Sequence, residues 1–121
     1  MSERLIVAVI DDDEDIRQAL AAMFTSNGYG VECFVSAEQF LGRIEARAIS
    51  VIVSDLQMAG LSGLELAREL HARGVDTPML LITAFASDAV RLRAKRLGVR
   101  VVLEKPFDPA ILLREVAAAA G

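Results

Sequence analysis

Short runs of apolar residues alternate along the chain with longer stretches in which apolar and polar residues are mixed. The five apolar runs are LIVAVI from Leu5, VECFV from Val31, VIVSD from Val51, MLLIT from Met79 and VRVVLE from Val99. The first, third and fourth runs are almost continuously apolar, which is typical of strands covered on both faces. The runs therefore predict five β-strands, three of them buried on both sides.

Between the runs, apolar residues repeat with the period of an α-helix. The five stripes are Ile16, Ala19, Leu20, Met23 and Phe24; Ala37, Phe40, Leu41 and Ile44; Leu64, Ala67 and Leu70; Val90, Ala94 and Leu97; and Leu112, Leu113, Val116 and Ala120. Strands that alternate with helices indicate a parallel sheet with helices on both faces. The pattern therefore predicts a doubly wound (βα)5 fold of the α/β class, with residues 1–121 forming one domain.

Capping residues agree with these helices. Side chains that accept the first free N–H groups of a helix precede three stripes; they are Asp12 or Asp13, Ser36 and Ser62. Gln39 and Glu65 follow the two serines at the spacing of a capping box. The glycines expected to end helices are Gly28, Gly74 and Gly98.

Composition narrows the class of protein. Hydrophobic residues make up 54% and charged residues 25% of the 121 residues, as in an ordered globular domain. The net charge of -4 argues against nucleic-acid binding by bulk attraction. Cys33, the single cysteine, excludes an internal disulfide and is expected to be buried. No run resembles a signal peptide or reaches transmembrane length, so we expect a cytoplasmic protein that does not bind membranes.

Polar side chains gather where the predicted strands end. Asp11 and Asp12 follow the first strand, Asp55 and Thr83 end the third and fourth, and Lys105 follows the fifth. Ligands bind at this edge of an open parallel sheet. Two like charges about 4 Å apart repel by roughly 4 kcal/mol at an effective dielectric constant near 20, so three carboxylates require a cation. Mg²⁺ prefers oxygen ligands beside a phosphate, and the set therefore predicts phosphoryl transfer to a carboxylate.

The stretches VIDDDEDIR, VIVSDLQMAGLSGLEL, LLITAF and LEKPF follow in this order over essentially the whole chain. In this respect the chain resembles the receiver domain of bacterial two-component response regulators. The resemblance implies the flavodoxin-like strand order 2-1-3-4-5. It also implies that Asp55 takes a phosphoryl group from the phosphohistidine of a sensor histidine kinase or phosphotransfer protein. The domain would then change conformation to control an output or partner, and it would catalyse only its own phosphorylation and dephosphorylation.

The same resemblance assigns the metal ligands. Asp12, the side chain of Asp55 and the backbone carbonyl of Gln57 would bind Mg²⁺ directly, as in the family. Asp11 would act mainly through a metal-bound water. These roles are expectations for this chain, carried over position by position.

The resemblance assigns the phosphoryl contacts in the same way. Thr83 would hydrogen-bond the phosphoryl oxygens, the backbone N–H of Ala84 would make a further contact, and Lys105 would form an ion pair. The peptide bond between Lys105 and Pro106 is expected to be cis.

Two positions depart from the family pattern. Ala59 stands where most receivers carry proline, so a less rigid loop is expected after Asp55. Val102 stands where the family has tyrosine or phenylalanine. In the family that ring moves inward when the threonine is drawn to the phosphoryl group, so the aromatic half of the switch is not expected here.

Several partners follow from the resemblance. The phrase LQMAGLSGLEL is most similar to receivers of the FixJ type, which carry a helix-turn-helix DNA-binding output, here outside the chain. Helix 4, strand 5 and helix 5 often form a dimer interface in the family. The basic run from Arg91 to Arg100 is either a solvated helix face or an electrostatic docking surface for a partner or second copy.

Other functions remain as alternatives. A phosphorylation-independent pseudo-receiver would use the same fold as a binding module. A flavodoxin-like electron carrier shares the strand order, but the acidic loop after the first strand would repel the phosphate of FMN. Asp11 and Asp13 form the D-x-D of a haloacid dehalogenase-type phosphatase, for which the chain is too short. His71 has no second ligand nearby in sequence and is expected to be exposed.

Overall fold

The structure is a computed structural model of the chain, and it describes residues 4–44 and 48–121. Strands and helices alternate throughout these ranges. The elements are β1 (Ile6–Ile10), α1 (Glu14–Ser26), β2 (Gly30–Phe34), α2 (Ala37–Leu41), β3 (Val51–Asp55), α3 (Gly63–Ala72), β4 (Met79–Thr83), α4 (Asp88–Arg96), β5 (Val101–Glu104) and α5 (Pro109–Ala120). The predicted alternation is confirmed.

The five strands form one sheet in the order β2-β1-β3-β4-β5, and every neighbouring pair is parallel. The predicted strand order is thus confirmed. The order reverses between β1 and β3, because β2 lies on one side of β1 and the later strands lie on the other. Such a reversal opens a crevice beyond the carboxyl ends of the two strands. Asp11 and Asp55 stand at those two ends.

Helices cover both faces of the sheet. On one face, Val9 of β1 belongs to a core with Phe24 of α1 and Leu112 of α5. On the other face, a second core contains Phe40 of α2, Leu70 of α3 and Ala94 of α4. Successive side chains of a strand point to opposite faces, so the near-continuous apolar runs supply both cores.

Two predicted element ends are wrong, one because of a hydrogen bond and the other because of a glycine. The apolar run from Val99 begins the fifth strand only at Val101, because the N–H of Val99 donates to the carbonyl of Ala94 at 2.9 Å and closes α4. The second helix ends at Leu41 before Gly42, a poor helix former. Ile44 therefore lies outside that helix and packs against the core from there.

The predicted caps are confirmed with one exception. Asp13 caps α1, and Ser62 forms a complete capping box with Glu65. Ser36 accepts the N–H of Gln39, as expected. The side chain of Gln39 accepts the N–H of Val35 at 2.9 Å and not that of Ser36, so the capping box predicted for α2 is wrong. The three glycines predicted to end helices all have positive φ angles; they are Gly28, Gly74 and Gly98.

Gly63 lets α3 begin directly against the sheet. A Cβ atom at this position would lie 2.6 Å from the carbonyl oxygen of Asp55 and 2.7 Å from Cδ2 of Leu81. The N–H of Gly63 donates to the carbonyl of Leu56 at 2.8 Å. The absence of a side chain therefore brings the start of α3 against the residue that ends β3.

Cys33 was predicted to be buried, and this is wrong because its side chain is exposed. It lies on the edge strand β2, near the carboxyl end. Among the described residues, no helix combines the length and apolar character needed to cross a membrane.

Candidate functional site

Three carboxylates from two central strands converge at the carboxyl edge of the sheet. Asp11 and Asp12 follow β1, and Asp55 ends β3. One carboxylate oxygen from each lies within 4.8 Å of the others, and within residues 4–44 and 48–121 this is the one such group able to hold a metal ion. Asp11 is buried, Asp55 is half-buried and Asp12 is exposed. The predicted convergence of the three acids is present.

Backbone and side-chain hydrogen bonds hold Asp11 in place. Its N–H donates to the carbonyl of Phe34 at 3.2 Å, which continues the pairing of β1 with β2. Its Oδ1 accepts the N–H of Asp13 at 2.9 Å, and its carbonyl accepts a bond from the Arg17 guanidinium at 2.6 Å. The position of this buried carboxylate is thus set from both sides of the β1–α1 turn.

Burial makes the negative charge of the cluster costly. The pKa of Asp55 is raised from 3.8 to about 6, chiefly by burial and then by the neighbouring Asp11, while Lys105 lowers it. Burial also raises the pKa of Asp11, against the lowering effect of the Asp13 N–H. Desolvation disfavours the charged form of an acid, and a nearby cation restores it. The cluster is therefore electrostatically suited to receive a cation.

Lys105 provides one positive charge at the cluster. Its Nζ lies 3.8 Å from Oδ1 of Asp55, and its N–H donates to the carbonyl of Thr83 at 2.8 Å. The peptide bond between Lys105 and Pro106 is cis, as expected. A single ammonium group faces three carboxylates here, so the site retains negative charge for a metal ion to neutralise.

Two N–H groups of the loop after Asp55 bind acidic side chains, one in the site and one on α2. Ala59 donates to Oδ2 of Asp12 at 3.1 Å, and Leu61 donates to Oε2 of Glu38 at 3.2 Å. Between them Gly60 turns the chain with a φ angle of 78°. Proline has no N–H, so the bond to Asp12 exists because the chain carries alanine at position 59.

Gln57 lies exposed in the same loop, two residues after Asp55. Its backbone carbonyl is one of the metal ligands that the sequence predicts. That role stays a prediction, as does the direct or water-mediated contact assigned to each of the three acids.

Thr83 is completely buried at the end of β4. Its Oγ1 donates to the carbonyl of Phe85 at 3.2 Å and accepts the N–H of Phe85 at 3.3 Å. Ala84 between them is exposed, and the ring of Phe85 is 71% exposed. The hydroxyl group of Thr83 therefore holds the first turn of the β4–α4 loop.

Sequence reasoning missed the role of Glu104. Its Oε1 accepts the N–H of Ala86 at 2.7 Å and so ties the β4–α4 loop to β5. The sheet register pairs Glu104 with Thr83, which places both at the same level of neighbouring strands. The only sequence signal is a charged residue at the end of an otherwise apolar strand, directly before Lys105.

Val102 is buried within β5, in the core that also contains Ala94 and Val99. Because the residue is valine, no aromatic ring occupies this position. The guanidinium of Arg91 donates to the carbonyl of Val102 at 3.0 Å. The charged residues of the basic run are all exposed, as both a solvated face and a docking surface require; they are Arg91, Arg93, Lys95, Arg96 and Arg100.

A cleft of about 190 Å³ lies between α3 and α4, and none of the three clustered acids lines it. His71 is exposed at this cleft, as predicted. The acidic cluster instead sits at the open edge of the sheet, with Asp12 exposed. Such a position is accessible to a group carried on the surface of another protein.

Comparisons with known proteins agree with this geometry. The family model for the response regulator receiver domain matches residues 7–117. A transcriptional regulatory protein named FixJ, from Azorhizobium caulinodans, is 40% identical over 121 residues, which are 100% of this chain and 57% of the relative. A response regulator protein named TodT, from Pseudomonas putida, is 32% identical over 120 residues, which are 98% of this chain and 53% of the relative.

A solved structure gives the same result. The crystal structure of FixJ-N superposes with a TM-score of 0.89 at 32% sequence identity, covering 98% of this chain and 95% of that one. The chain spans little more than half the length of the two curated relatives.

Proposed function

Because the chain belongs to the response regulator receiver domain family and is a receiver domain of a two-component system, we propose that Asp55 is its phosphoacceptor. The phosphoryl donor is the phosphohistidine of a sensor histidine kinase or phosphotransfer protein. The observation that carries the proposal is the convergence of Asp11, Asp12 and Asp55 within 4.8 Å, with Lys105 at 3.8 Å from Asp55.

The chemistry of the donor set fits Mg²⁺. All the candidate ligands are oxygen atoms, and carboxylates beside a phosphate are the usual environment of this ion. Asp12, Asp55 and the backbone carbonyl of Gln57 would hold it directly, and Asp11 would hold it through water. When bound, Mg²⁺ supplies positive charge to the oxygens of the transferring phosphoryl group.

The residues of the chain carry out the remaining steps. The ionised carboxylate of Asp55 attacks phosphorus, an O–P bond forms, and the N–P bond to the donor imidazole breaks with its electron pair left on nitrogen. Lys105 forms an ion pair with the phosphoryl oxygens, while Thr83 and the N–H of Ala84 donate hydrogen bonds to them. Water later hydrolyses the acyl phosphate, which returns Asp55 as a carboxylate and releases phosphate.

The phosphorylated domain controls a partner or output. A helix-turn-helix DNA-binding domain outside this chain is the output we propose, consistent with the transcriptional regulatory relatives and their greater length. Dimerisation through α4, β5 and α5 and a cytoplasmic location belong to the same proposal. The family match decides against the electron carrier and the haloacid dehalogenase-type phosphatase, and the intact acid cluster gives no support to a pseudo-receiver.

Acetyl phosphate with Mg²⁺ tests the proposal directly. Intact-mass spectrometry should show one added phosphoryl group, and peptide mapping should place it on Asp55. Asp55→Asn should abolish the adduct, whereas Asp76→Asn, an exposed acid at the opposite edge of the fold, should retain it. Labelling of Asp55→Asn at the wild-type rate would place the nucleophile elsewhere, and an unlabelled wild type would favour the pseudo-receiver.

A further inference from the structure

The β4–α4 loop, residues 84–87, is held to the sheet by two side chains. Thr83 binds both the N–H and the carbonyl of Phe85, at 3.3 and 3.2 Å. Glu104 accepts the N–H of Ala86 at 2.7 Å, the shortest bond that this loop makes to a side chain in the described part of the chain. Bonds to an ionised acceptor are typically shorter and stronger than bonds between neutral groups.

The two side chains are neighbours in the sheet, and Thr83 pairs with Glu104 at the carboxyl ends of β4 and β5. In a parallel pair, side chains at the same level project from the same face. Both therefore reach the loop that leaves β4 above them. Ala86 itself packs against the core on that face.

The Thr83 tether cannot stay intact if the proposed function is correct. A hydroxyl group has one proton to donate, and in this structure that proton is directed to the carbonyl of Phe85. Donation to a phosphoryl oxygen on Asp55 therefore requires release of the Phe85 carbonyl, while Oγ1 can still accept the N–H of Phe85 at 3.3 Å. After that release, the bond from Ala86 to Glu104 at 2.7 Å is the shorter of the two side-chain bonds that hold this loop to the sheet.

We propose that Glu104 is a positioning residue that holds the β4–α4 loop in its unphosphorylated arrangement and opposes occupation of the phosphoryl site. The inference rests on the proposed function and adds a regulatory residue to it. A bond made in one of two conformations shifts the equilibrium toward that conformation. Removing the Glu104 tether therefore favours the arrangement in which Thr83 and the N–H of Ala84 turn to the phosphoryl oxygens.

Two substitutions separate the tether from the charge of Glu104. Glu104→Ala removes the acceptor and the charge together, whereas Glu104→Gln removes the charge but keeps an oxygen that can accept the Ala86 N–H. If Glu104 acts through the tether, the exchange of the Ala86 amide proton and the affinity for a phosphoryl substitute change in the alanine variant and stay near the wild-type values in the glutamine variant. If it acts only through repulsion of the phosphoryl charge, both variants change alike, and the tether proposal is overturned.

The first measurement uses the unphosphorylated chain without metal. The exchange of the Ala86 amide proton with solvent, followed by NMR, should be slowed in the wild type and in Glu104→Gln. In Glu104→Ala it should be faster by about tenfold, since the bond to a carboxylate is lost. Unchanged exchange at Ala86 in Glu104→Ala would show that the tether does not hold the loop in solution.

The second measurement uses beryllofluoride with Mg²⁺ as a stable substitute for the phosphoryl group on Asp55, titrated by NMR. Glu104→Ala should bind it roughly three- to tenfold more tightly than the wild type, and Glu104→Gln within about twofold of the wild type. Equal affinities for all three chains would overturn the proposal. If the wild type fails to bind beryllofluoride at all, the proposed function fails, and the amide exchange alone decides whether the tether exists.

Discussion

The two halves of the candidate site are held in different ways. The acidic half consists of Asp11, Asp12 and Asp55, which follow or end the central strands β1 and β3. Besides the hydrogen bonds of Asp11 and Asp12, its support is packing, because α3 begins in direct contact with the backbone of Asp55 at Gly63. The switch half consists of Thr83 and Glu104, which end β4 and the edge strand β5, and of Lys105, which follows β5. Hydrogen bonds to an exposed loop connect it to its surroundings.

The difference follows from what each half has to do. Three carboxylates repel one another, so only a rigid scaffold keeps them at the spacing that a cation requires. A hydroxyl group that exchanges one acceptor for another must instead sit beside backbone that can move. The phosphoryl-binding function therefore joins a packed acidic half to a hydrogen-bonded switch half, and substitutions should act unequally on the two.

The largest effect is expected where packing supports the acidic half. Gly63→Ala places a Cβ atom 2.6 Å from the carbonyl oxygen of Asp55, which forces α3 away from β3. We expect a loss of about 3 kcal/mol in the free energy of unfolding, measured by urea denaturation. Gly42→Ala is the matched control, since its Cβ meets no atom closer than 3.6 Å and its φ angle is -71°. Equal losses in both variants would contradict packing as the support.

The second expected effect comes from the raised pKa of Asp55, about 6 in the folded chain against 3.8 for the ordinary group. Between these values the folded state binds more protons than the unfolded state, so the free energy of unfolding falls as pH rises from about 4 to 7. Asp55→Asn removes the titrating carboxyl group and therefore removes this fall in the free energy of unfolding. In metal-free buffer the variant should be more stable than the wild type by about 2 kcal/mol at pH 7.5.

The pH dependence identifies the cause of that gain. The advantage of Asp55→Asn should shrink toward zero near pH 4, because the wild-type carboxyl group is then protonated in the folded chain. Thermal denaturation of both chains at several pH values measures it. An advantage that stays constant from pH 4 to 7.5 would mean that the gain comes from packing and not from the buried charge.

The fold and the acidic half were predictable from sequence for a physical reason. A strand covered on both faces must be apolar throughout, so an aspartate at the end of such a run, as in VIVSD, marks the carboxyl edge. Parallel strands bring those ends together, and this predicts the meeting of Asp11, Asp12 and Asp55 without coordinates. The approach of their oxygens to within 4.8 Å depends on register and could not be derived from the pattern.

The long-range hydrogen bonds around the site could not be predicted in the same way. Glu104 reaches Ala86 across 18 positions, and Glu38 reaches Leu61 across 23. No local periodicity marks a side chain that accepts a distant backbone N–H. The burial of Cys33 was wrong for a related reason, because the apolar run of β2 does not reveal that this strand lies at the edge.

A third prediction concerns the cation that the acidic half is proposed to hold. Mg²⁺ at ten times its dissociation constant should stabilise the folded chain by about 1.4 kcal/mol, seen as a rise in melting temperature. Asp12→Ala should remove most of that rise. Asp15→Ala is the control, because it deletes a nearby exposed acid outside the cluster. A rise that survives intact in Asp12→Ala would make the assignment of this ligand wrong.

The smallest effect on stability is expected in the switch half. Thr83→Val keeps the shape of a buried side chain and removes the hydroxyl group that binds Phe85. Because Phe85 is exposed, water can replace both lost bonds, so the free energy of unfolding should fall by less than about 1 kcal/mol. Labelling by acetyl phosphate should slow without stopping, since Asp55 remains, and Thr83→Ser should restore the rate.

The comparison of Thr83→Val with Gly63→Ala tests the division into two halves. A residue that works by exchanging hydrogen bonds should alter labelling strongly and stability little, whereas a residue that supports the acids should alter both. Urea denaturation and the labelling rate, measured on the same two variants, separate the cases. If Thr83→Val were as destabilising as Gly63→Ala, the switch half would be a packed part of the core, and its loop would not be free to move on phosphorylation.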